Sequence, residues 1–315
     1  MSQSMRAIVA DPGAPGRVRM DRVPYPQAGP GEVVVEVQAV SVNRGETFLL
    51  EQPPVGWRPG KDTAGVVVAT GSGVGGLRIG QRVVAHAEQA GWAERVAVAA
   101  DRVAPLPEGV GFTAAAPLGL AGLTALRLTR VTGPLAGRRV LLTGASGGVG
   151  HTFVQLAAAH GALVTVVTAD AERGARLLEL GAAQVVHEIG SAPGPFDIAI
   201  ESTGGTAPGK AWARLVQHGR LIWFGQASRE PAVIDFFDWR GATSGTIRRF
   251  HYAEDDTPVG DDLAALVRLV SSGRLHIEIG LTDDWERIPD ALQALLDRRV
   301  RGNAVLTLNH GGANR

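Results

Sequence analysis

The sequence has no cysteine among its 315 residues. This absence excludes disulfide bonds, thiolate zinc sites and a cysteine nucleophile. The net charge is zero at pH 7, so no basic excess points to a nucleic-acid partner. No segment is apolar for the roughly 18 residues that a membrane helix requires, and residues 1–6 hold no apolar signal core. We therefore expect a cytoplasmic protein that has neither a membrane nor a nucleic-acid partner.

Glycine, in contrast, is abundant, with 42 residues spread through turns. Short runs rich in β-branched residues alternate with Gly and Pro turns over residues 1–112, which is typical of a small barrel-like β domain. The predicted strands of this region are residues 5–10, 17–20, 32–42, 63–69, 82–85 and 91–98. The chain is long enough for a second domain.

Strands alternate with helices from residue 113 onward, and this order predicts a doubly wound parallel α/β sheet. The predicted strands are residues 140–142, 163–167, 184–187, 196–201, 220–225 and 243–247, and the predicted helices are residues 122–129, 151–160, 173–180 and 210–217. The tail contains two helical patterns, at 261–272 and 288–296, and a last strand at 303–308. We expect this tail to return to the β domain.

A glycine-rich turn joins the first strand of this sheet to its helix. The turn reads Ala145-x-Gly147-x-x-Gly150, with alanine in place of the first glycine of the usual fingerprint. Such a turn lets the backbone approach a pyrophosphate, which the N–H groups of the following helix bind. The sequence therefore predicts dinucleotide binding at Ala145, Ser146, Gly147, Gly148, Val149 and Gly150. A structural turn in another kind of α/β protein is the alternative.

The end of the next strand indicates which dinucleotide is bound. An acidic residue there would bind the ribose 2′-hydroxyl of NAD, but this chain has Thr168. Thr168 leaves space for a 2′-phosphate, and Arg173 could pair with that phosphate. Asp170 argues mildly against this interpretation, because its carboxylate would repel the phosphate if it turned inward. The pattern favours NADP over NAD, with a solvated Arg173 as the alternative.

Seven motifs in a fixed order give the chain a family resemblance. They are Val42-Asn43-x-x-Glu46, Pro59 to Val67, Gly80 to Val83, Leu123 to Ala125, Gly144 to Gly150, Leu180 to Ala182 and Gly219 to Gly225. In this order the sequence resembles the medium-chain dehydrogenase/reductase superfamily, in its zinc-free quinone oxidoreductase branch. The resemblance implies a GroES-like β domain over 1–112, completed by 249–315, and a Rossmann NADP-binding domain over 113–248. It also implies that the cofactor lies in the cleft between the two domains.

The same resemblance bears on metal binding. In the zinc-dependent members of the superfamily, catalytic ligands fall at positions that correspond to Asn43, Lys61 and Leu120. Leucine has no donor atom and protonated lysine repels a cation, so the family's zinc site is absent. The lobe of four cysteines that often holds structural zinc is absent too. His86 and Glu88 are the nearest tempting pair, but two groups do not complete a four-coordinate site. We expect no metal.

Three catalytic residues are implied by the resemblance. Asn43 would lie near the nicotinamide and hydrogen-bond to the cofactor or to a substrate oxygen, and its alternative role is that of a turn residue. Lys61 would donate to a developing enolate oxygen, although a solvated loop lysine is the simpler interpretation. Thr124 would contact the nicotinamide side or simply pack within its helix.

Further cofactor contacts are expected at strand ends and near the nicotinamide. The residues are Ser202, Thr203, Phe224, Gly225, Ala227 and Asn303. The chain departs from the family at Glu188, where a tyrosine is common, and at Asn303, where a lysine is common. At most two of the tryptophans Trp57, Trp92, Trp223 and Trp239 are expected to line an aromatic acceptor site.

Without zinc, the feasible reaction is hydride delivery to an electron-poor acceptor. We therefore expect an NADPH-dependent oxidoreductase that acts on a small molecule, either a quinone or an α,β-unsaturated carbonyl compound. A zinc-free enoyl-thioester reductase is one alternative. A nucleotide-binding sensor or RNA-binding protein without useful turnover is another. The predicted edge strand near residues 242–247 could pair across a homodimer.

Overall fold

The computed structural model describes residues 3–238 and 240–309, so the prediction for Trp239 lies outside the described residues. The chain divides into two compact units. Unit 1 comprises Met1–Leu123 and Asp256–Arg315, and unit 2 comprises Thr124–Asp255. These units divide at residues 123/124 and 255/256, later in the chain than the predicted domain boundaries at 112/113 and 248/249. The predicted domain boundaries stay a prediction.

Unit 1 is rich in β-structure. Its strands are β1 (Ser4–Ala10), β2 (Val18–Pro24), β3 (Glu32–Val42), β4 (Asp62–Thr70), β5 (Arg82–His86), β6 (Arg95–Ala99), β7 (Val103–Pro105), β14 (Ile279–Asp284) and β15 (Asn303–Thr307). Its principal sheet has the order β14-β15-β3-β4-β5-β7, and β6 also pairs with β3. Because β15 pairs antiparallel with β3, the C-terminal segment completes the sheet that the N-terminal segment begins, as predicted.

Unit 1 also contains α-helices. They are α1 (Arg44–Leu49), α2 (Phe112–Ala115), α7 (Val259–Ser271) and α8 (Ile288–Leu296). The core of the unit includes alternate valines of β3, namely Val33, Val35 and Val37, which are fully buried. Trp92 is a core residue too, and its indole N–H donates to the Ser41 carbonyl over 3.4 Å. This environment gives Trp92 a packing role.

Unit 2 is a Rossmann sheet. Its strands are β8 (Arg139–Leu142), β9 (Leu163–Val167), β10 (Gln184–Val186), β11 (Phe196–Glu201), β12 (Leu215–Trp223) and β13 (Thr246–Arg249). The order β10-β9-β8-β11-β12-β13 consists of parallel pairs throughout. The strand order reverses between β8 and β11, and nucleotides bind at such a switch point. The predicted doubly wound sheet is confirmed.

The helices of unit 2 follow the predicted pattern with one correction. They are α4 (Gly148–Ala159), α5 (Ala171–Glu179) and α6 (Ala207–Trp212), and α3 (Ala121–Thr132) begins in unit 1 and continues into unit 2. The predicted helix at 210–217 is wrong in its second half, because β12 already begins at Leu215. Pro208 lies in the first turn of α6, where its fixed φ favours helix initiation. The predicted helix therefore begins and ends too far along the chain, since α6 spans Ala207–Trp212.

A test for membrane-spanning helices covers the described ranges 3–238 and 240–309. None of their individual helices combines the length and the apolar composition needed to cross a bilayer, whereas the bent pair Phe112–Leu118 and Ala121–Thr132 meets those criteria jointly.

Candidate nucleotide-binding and catalytic site

The loop after β8 has the geometry that a bound pyrophosphate requires. Gly144 has φ +62°, and a Cβ added to it would lie 2.3 Å from the Ser202 hydroxyl. A Cβ on Gly150 would lie 2.4 Å from the Ala145 carbonyl oxygen. Gly147 is the N-cap of α4 and has no side-chain cap. Because no side chain caps the first turn of α4, its backbone N–H groups are suited to an anion.

Three loops that the sequence singled out come together in unit 2. They follow β8, β11 and β12, whose carboxyl ends share one edge of the parallel sheet. The backbone N–H of Phe224 donates to the Glu201 carbonyl, and that of Ala227 donates to the Ser202 carbonyl, each over 2.9 Å. A Cβ on Gly225 would approach the Ser202 backbone to 3.1 Å. The predicted cofactor residues after β11 and β12 therefore adjoin the glycine-rich loop.

Glu201 braces this arrangement, and sequence reasoning missed its role. Its carboxylate is fully buried and accepts hydrogen bonds from the Thr143 hydroxyl and from the backbone N–H groups of Thr203 and Gly204, over 3.0, 2.6 and 3.1 Å. Thr143 Oγ1 in turn accepts from the backbone N–H of Ser202 over 3.1 Å. One buried carboxylate thus ties the loop after β8 to the loop after β11. The sequence feature that could have identified Glu201 is an acidic residue at the end of an otherwise apolar strand.

The predicted 2′-phosphate residues lie at the end of β9 and the start of α5. Thr168 is buried, and its carbonyl accepts a hydrogen bond from the His187 ring over 2.8 Å. Asp170 is the N-cap of α5, because its carboxylate accepts from the backbone N–H of Arg173 over 3.0 Å. The Arg173 side chain lies 3.9 Å from the same carboxylate. This capping role accounts for the acid whose charge argued mildly against NADP.

Asn43 is the N-cap residue of α1 in unit 1, and both its backbone and its side chain form hydrogen bonds with carboxyl groups. It forms a capping box with Glu46, whose carboxylate accepts from the Asn43 backbone N–H over 3.1 Å. The Asn43 side-chain amide donates to Asp62 over 2.8 Å. Glu46 also accepts the backbone N–H groups of Gly60 and Lys61, over 2.9 and 3.1 Å. Helix α1 and the start of β4 are therefore joined through one buried carboxylate.

Two buried carboxyl groups lie next to each other in this cluster. Burial raises the pKa of Glu46 to about 8, with the neighbouring Asp62 charge raising it further, while the backbone N–H groups of Asn43 and Gly60 and the Lys61 charge oppose the shift. Burial likewise raises the pKa of Asp62 to about 8, against the Asn43 amide, the Lys61 charge and the Leu120 N–H. His86, also buried, lies 3.9 Å from Asp62. The cluster holds titratable groups where water does not solvate them.

Lys61, Thr124 and Asn303 lie before β4, in α3 and in β15, and their predicted catalytic or cofactor-binding roles stay predictions. Lys61 is half-buried immediately before β4, and Thr124 is buried in α3. Asn303 is buried in β15, and its side-chain amide donates to the Glu278 carbonyl over 2.9 Å. That bond gives Asn303 a structural function within unit 1. Its predicted contact with the cofactor stays a prediction.

The residues present fit a nicotinamide dinucleotide. The α4 N-terminus has no side-chain cap, and glycines stand where a Cβ would collide with the neighbouring loops. Thr168 rather than an acid follows β9, and Arg173 lies in the first turn of α5. Within residues 3–238 and 240–309, no group of three His, Cys, Asp or Glu side chains is arranged to hold a metal ion.

Family models match both parts of the chain. The alcohol dehydrogenase GroES-like domain matches residues 29–108, and a zinc-binding dehydrogenase model matches residues 180–306. The first match confirms the GroES-like nature of the β domain.

Relatives are found among proteins of known sequence and structure. Mouse quinone oxidoreductase is 37% identical over 195 residues, a match that covers 58% of this chain and only 58% of the mouse protein. Human quinone oxidoreductase is 31% identical over 314 residues, and this match covers 93% of this chain and 94% of the human protein. A mycobacterial protein solved in complex with NADPH superimposes with a TM-score of 0.86 at 26% identity, over 97% of this chain and 100% of that one.

Proposed function

This chain belongs to the quinone oxidoreductase branch of the medium-chain dehydrogenase/reductase superfamily, and on that premise we propose that it is an NADPH-dependent oxidoreductase that reduces a quinone or an α,β-unsaturated carbonyl compound. The observation that carries the proposal is the meeting of three strand-end loops beside the uncapped N-terminus of α4. The relatives do not favour the alternatives, an enoyl-thioester reductase or a nucleotide-binding protein without turnover.

The nucleotide-binding residues have distinct roles in this proposal. The backbone N–H groups of Gly148, Val149 and Gly150 would bind the pyrophosphate at the start of α4. The loops carrying Ser202 and Phe224 would contact the ribose and the nicotinamide, and the hydrogen bonds of Glu201 hold both loops in register with the glycine turn. This preorganisation lowers the entropic cost of binding.

Arg173 is the residue that we assign to the 2′-phosphate of NADP. A guanidinium forms charge-assisted hydrogen bonds with phosphate, and the Arg173 side chain retains about a fifth of its exposure. Asp170 contributes indirectly, since its capping bond fixes the first turn of α5 from which Arg173 projects. The mycobacterial neighbour, solved with NADPH, supports this choice of cofactor.

The reaction balances as two electrons and two protons. Bound NADPH supplies the hydride to the acceptor, and one further proton from solvent or a side chain completes the reduction. Asn43 and Lys61 would donate hydrogen bonds to an oxygen that gains negative charge as the hydride arrives, and Thr124 would support the nicotinamide. These three assignments are proposals from the family resemblance.

We propose that the hydride transfer needs no zinc. The argument rests on the residue types at the family's ligand positions, because Leu120 offers no donor atom and Lys61 brings a positive charge. Asn43 is already bound to Asp62 through its amide nitrogen. An electron-poor quinone or enone does not require the Lewis acid that an ordinary carbonyl needs.

The proposed assembly is a cytoplasmic homodimer without nucleic-acid or membrane partners. Strand β13 is at the edge of the unit 2 sheet, and all four of its residues are exposed. Phe236 and Phe237 are also exposed, with their rings 5.3 Å apart. An exposed strand at the edge of a sheet, and exposed apolar side chains on the same unit, favour association with a second copy. The zero net charge argues against nucleic acid.

An acceptor panel tests the proposed function. Absorbance at 340 nm follows the oxidation of NADPH and of NADH with quinones, enones and simple aldehydes. We expect turnover with quinones or enones and a lower KM for NADPH than for NADH. Rapid turnover of simple aldehydes but not of quinones or enones contradicts the proposal. Failure to turn over any acceptor contradicts it too.

A further inference from the structure

The side chain of Asn43 has a fixed orientation. Its amide nitrogen lies 2.8 Å from Asp62 Oδ2, and the capping box directs its oxygen toward the backbone N–H of Glu46. Asp62 Oδ2 accepts the hydrogen bond from this nitrogen, and an unprotonated carboxyl oxygen can do so whether or not the other oxygen carries a proton, so the nitrogen of the carboxamide, not its oxygen, faces Asp62. The reversed carboxamide would lose the bond from Nδ2 to Asp62 Oδ2 and would place its N–H groups against the backbone N–H of Glu46, which is also a donor.

Asp62 is itself held in place by its surroundings. It is fully buried and pairs across the sheet with His86 through the register of β4 and β5. A Cβ on Gly119 would lie 2.9 Å from Asp62 Oδ1, so the segment before α3 closes over this carboxyl group. The charged and titratable groups around it are Lys61 immediately before β4, Glu46 on α1 and His86 on β5. A side chain enclosed in this way has little rotational freedom with which to release Asn43.

From this geometry we propose that Asp62 is a positioning residue for Asn43. It holds the carboxamide so that the second hydrogen of Asn43 Nδ2 donates to an oxygen of the bound acceptor or of the nicotinamide cofactor. Each amide nitrogen carries two donor hydrogens, and one of them is committed to Asp62. The proposal rests on the proposed function, since it assigns the remaining hydrogen to a ligand of the same site.

The orientation matters because the two ends of a carboxamide have opposite polarity. A donor stabilises an oxygen that gains negative charge, whereas a carbonyl oxygen in the same place would repel it. If Asp62 were lost, Asn43 could rotate and present either end. The expected consequence is a loss of binding or turnover on the order of tenfold, which corresponds to the net contribution of one hydrogen bond.

A double-mutant cycle between the two residues tests the proposal. The variants are Asp62→Leu, Asn43→Ala and their combination, with Asp62→Asn as the conservative variant, because its carbonyl oxygen can still accept the Asn43 N–H. Thr63→Val is the matched control, since Thr63 is equally buried on the same strand and its side chain points to the other face. Each folded variant is measured for kcat and KM of a quinone and, by fluorescence titration, for the Kd of NADPH.

The proposal expects that Asp62→Leu loses about tenfold in the wild-type background and less than about twofold in the Asn43→Ala background. Asp62→Asn should restore most of that loss, and Thr63→Val should change nothing. Coupling between Asp62 and Asn43 in the kcat or KM of the quinone indicates that the Asn43 N–H donates to the acceptor oxygen. Coupling in the Kd of NADPH indicates that it donates to the cofactor. Equal losses in both backgrounds, or no loss, overturn the proposal.

The two proposals fail in different ways. A wild-type protein that binds NADPH but reduces no acceptor contradicts the proposed function, and the NADPH arm of the cycle then decides the role of Asp62. A wild-type protein that binds no NADPH overturns both. If Asp62→Leu does not fold, Asp62→Ala replaces it. If neither folds, Asp62→Asn is compared in the wild-type and Asn43→Ala backgrounds, and a loss of the same size in both overturns the positioning role.

Discussion

A single helix cap alters the interpretation of the cofactor site at the residue scale. Asp170 follows Thr168 after β9 and would repel a 2′-phosphate if its carboxylate turned inward, but that carboxylate accepts the backbone N–H of Arg173. An N-cap acid is common because it satisfies an otherwise unbonded donor in the first helical turn. The acid therefore has a structural explanation that is compatible with a 2′-phosphate nearby.

Arg173→Ala should weaken NADPH binding by about tenfold or more and leave NADH binding nearly unchanged, because a hydrogen bond between charged groups contributes roughly 1.5–3 kcal/mol. Fluorescence titration with both nucleotides measures the ratio. Arg176→Ala is the matched control, since Arg176 lies on the same helix and pairs with Glu179. Equal losses for NADPH and NADH would remove the 2′-phosphate role.

The buried carboxyl groups of Glu46 and Asp62 predict how stability depends on pH. Their pKa values are raised to about 8 in the folded protein by burial, while both groups titrate near 4 in an unfolded chain. Between these values the folded state binds more protons, so the free energy of unfolding should fall as pH rises from about 4 to about 8. The carboxyl groups of Asp197 and Asp238, whose pKa values are lowered, titrate below this window.

Urea unfolding at a series of pH values between 5 and 9 measures this dependence. Asp62→Asn removes one of the two titrating groups and should flatten the curve, whereas Thr63→Val should leave its slope unchanged. A free energy of unfolding that rises with pH over this range, or a slope that Asp62→Asn does not alter, contradicts the assignment.

Sequence reasoning found some residues of the site and missed others for a physical reason. The glycine turn was visible because its residues are consecutive and flanked by apolar runs. Asp62, His86 and Glu201 were not assigned roles, because their contacts depend on strand register and on loops that are distant in sequence. Asn43 was identified through the family resemblance, but its orientation follows from the bond to Asp62.

At the scale of elements, the start of α4 depends on close backbone packing. Gly150→Ala places a Cβ 2.4 Å from the Ala145 carbonyl oxygen, and the collision has backbone on both sides. We expect a loss of about 2 kcal/mol in stability and a clear weakening of NADPH binding, measured by thermal unfolding with and without nucleotide.

Gly109→Ala is the control for this substitution, since a Cβ there would meet no atom within 4 Å and its φ is not in the left-handed region. Wild-type NADPH affinity in folded Gly150→Ala would show that the close approach at this turn does not matter.

Element boundaries show where local patterns stop being informative. Residues 163–167, 196–201 and 288–296 were predicted with the limits that β9, β11 and α8 have, because Gly, Pro or charged residues bound them. The segment after α6 was misassigned, since β12 begins with a register shift against β11 that no local pattern reveals. The short α1, β7 and β14 were missed because each has too few residues for a clear periodicity.

At the scale of the whole molecule, the exposed edge of unit 2 predicts a dimer. Ile247→Asp in β13 should convert a dimer to a monomer, because it places a charge where a second sheet edge would pair. Sedimentation velocity measures the mass. Val55→Asp is the control, since Val55 is fully exposed in unit 1. A monomeric wild type, or a dimer that Ile247→Asp leaves intact, contradicts pairing through β13.

The overall architecture was more predictable than the site. Alternation of strands and helices identifies a Rossmann sheet, since parallel strands need helical crossovers, and the observed strand order confirms it. The return of β15 to β3 was expected from the family resemblance and is observed. Contacts that place chemistry arise from three-dimensional packing, and they cannot be obtained from periodicity.

Quinone reduction by chelator-treated protein tests the central claim most directly. The protein is dialysed against EDTA, its metal content is measured, and NADPH oxidation with a quinone is then followed at 340 nm. The account predicts undiminished turnover in the absence of metal and no gain when zinc is added back. Activity that disappears on chelation and returns with stoichiometric zinc would contradict it.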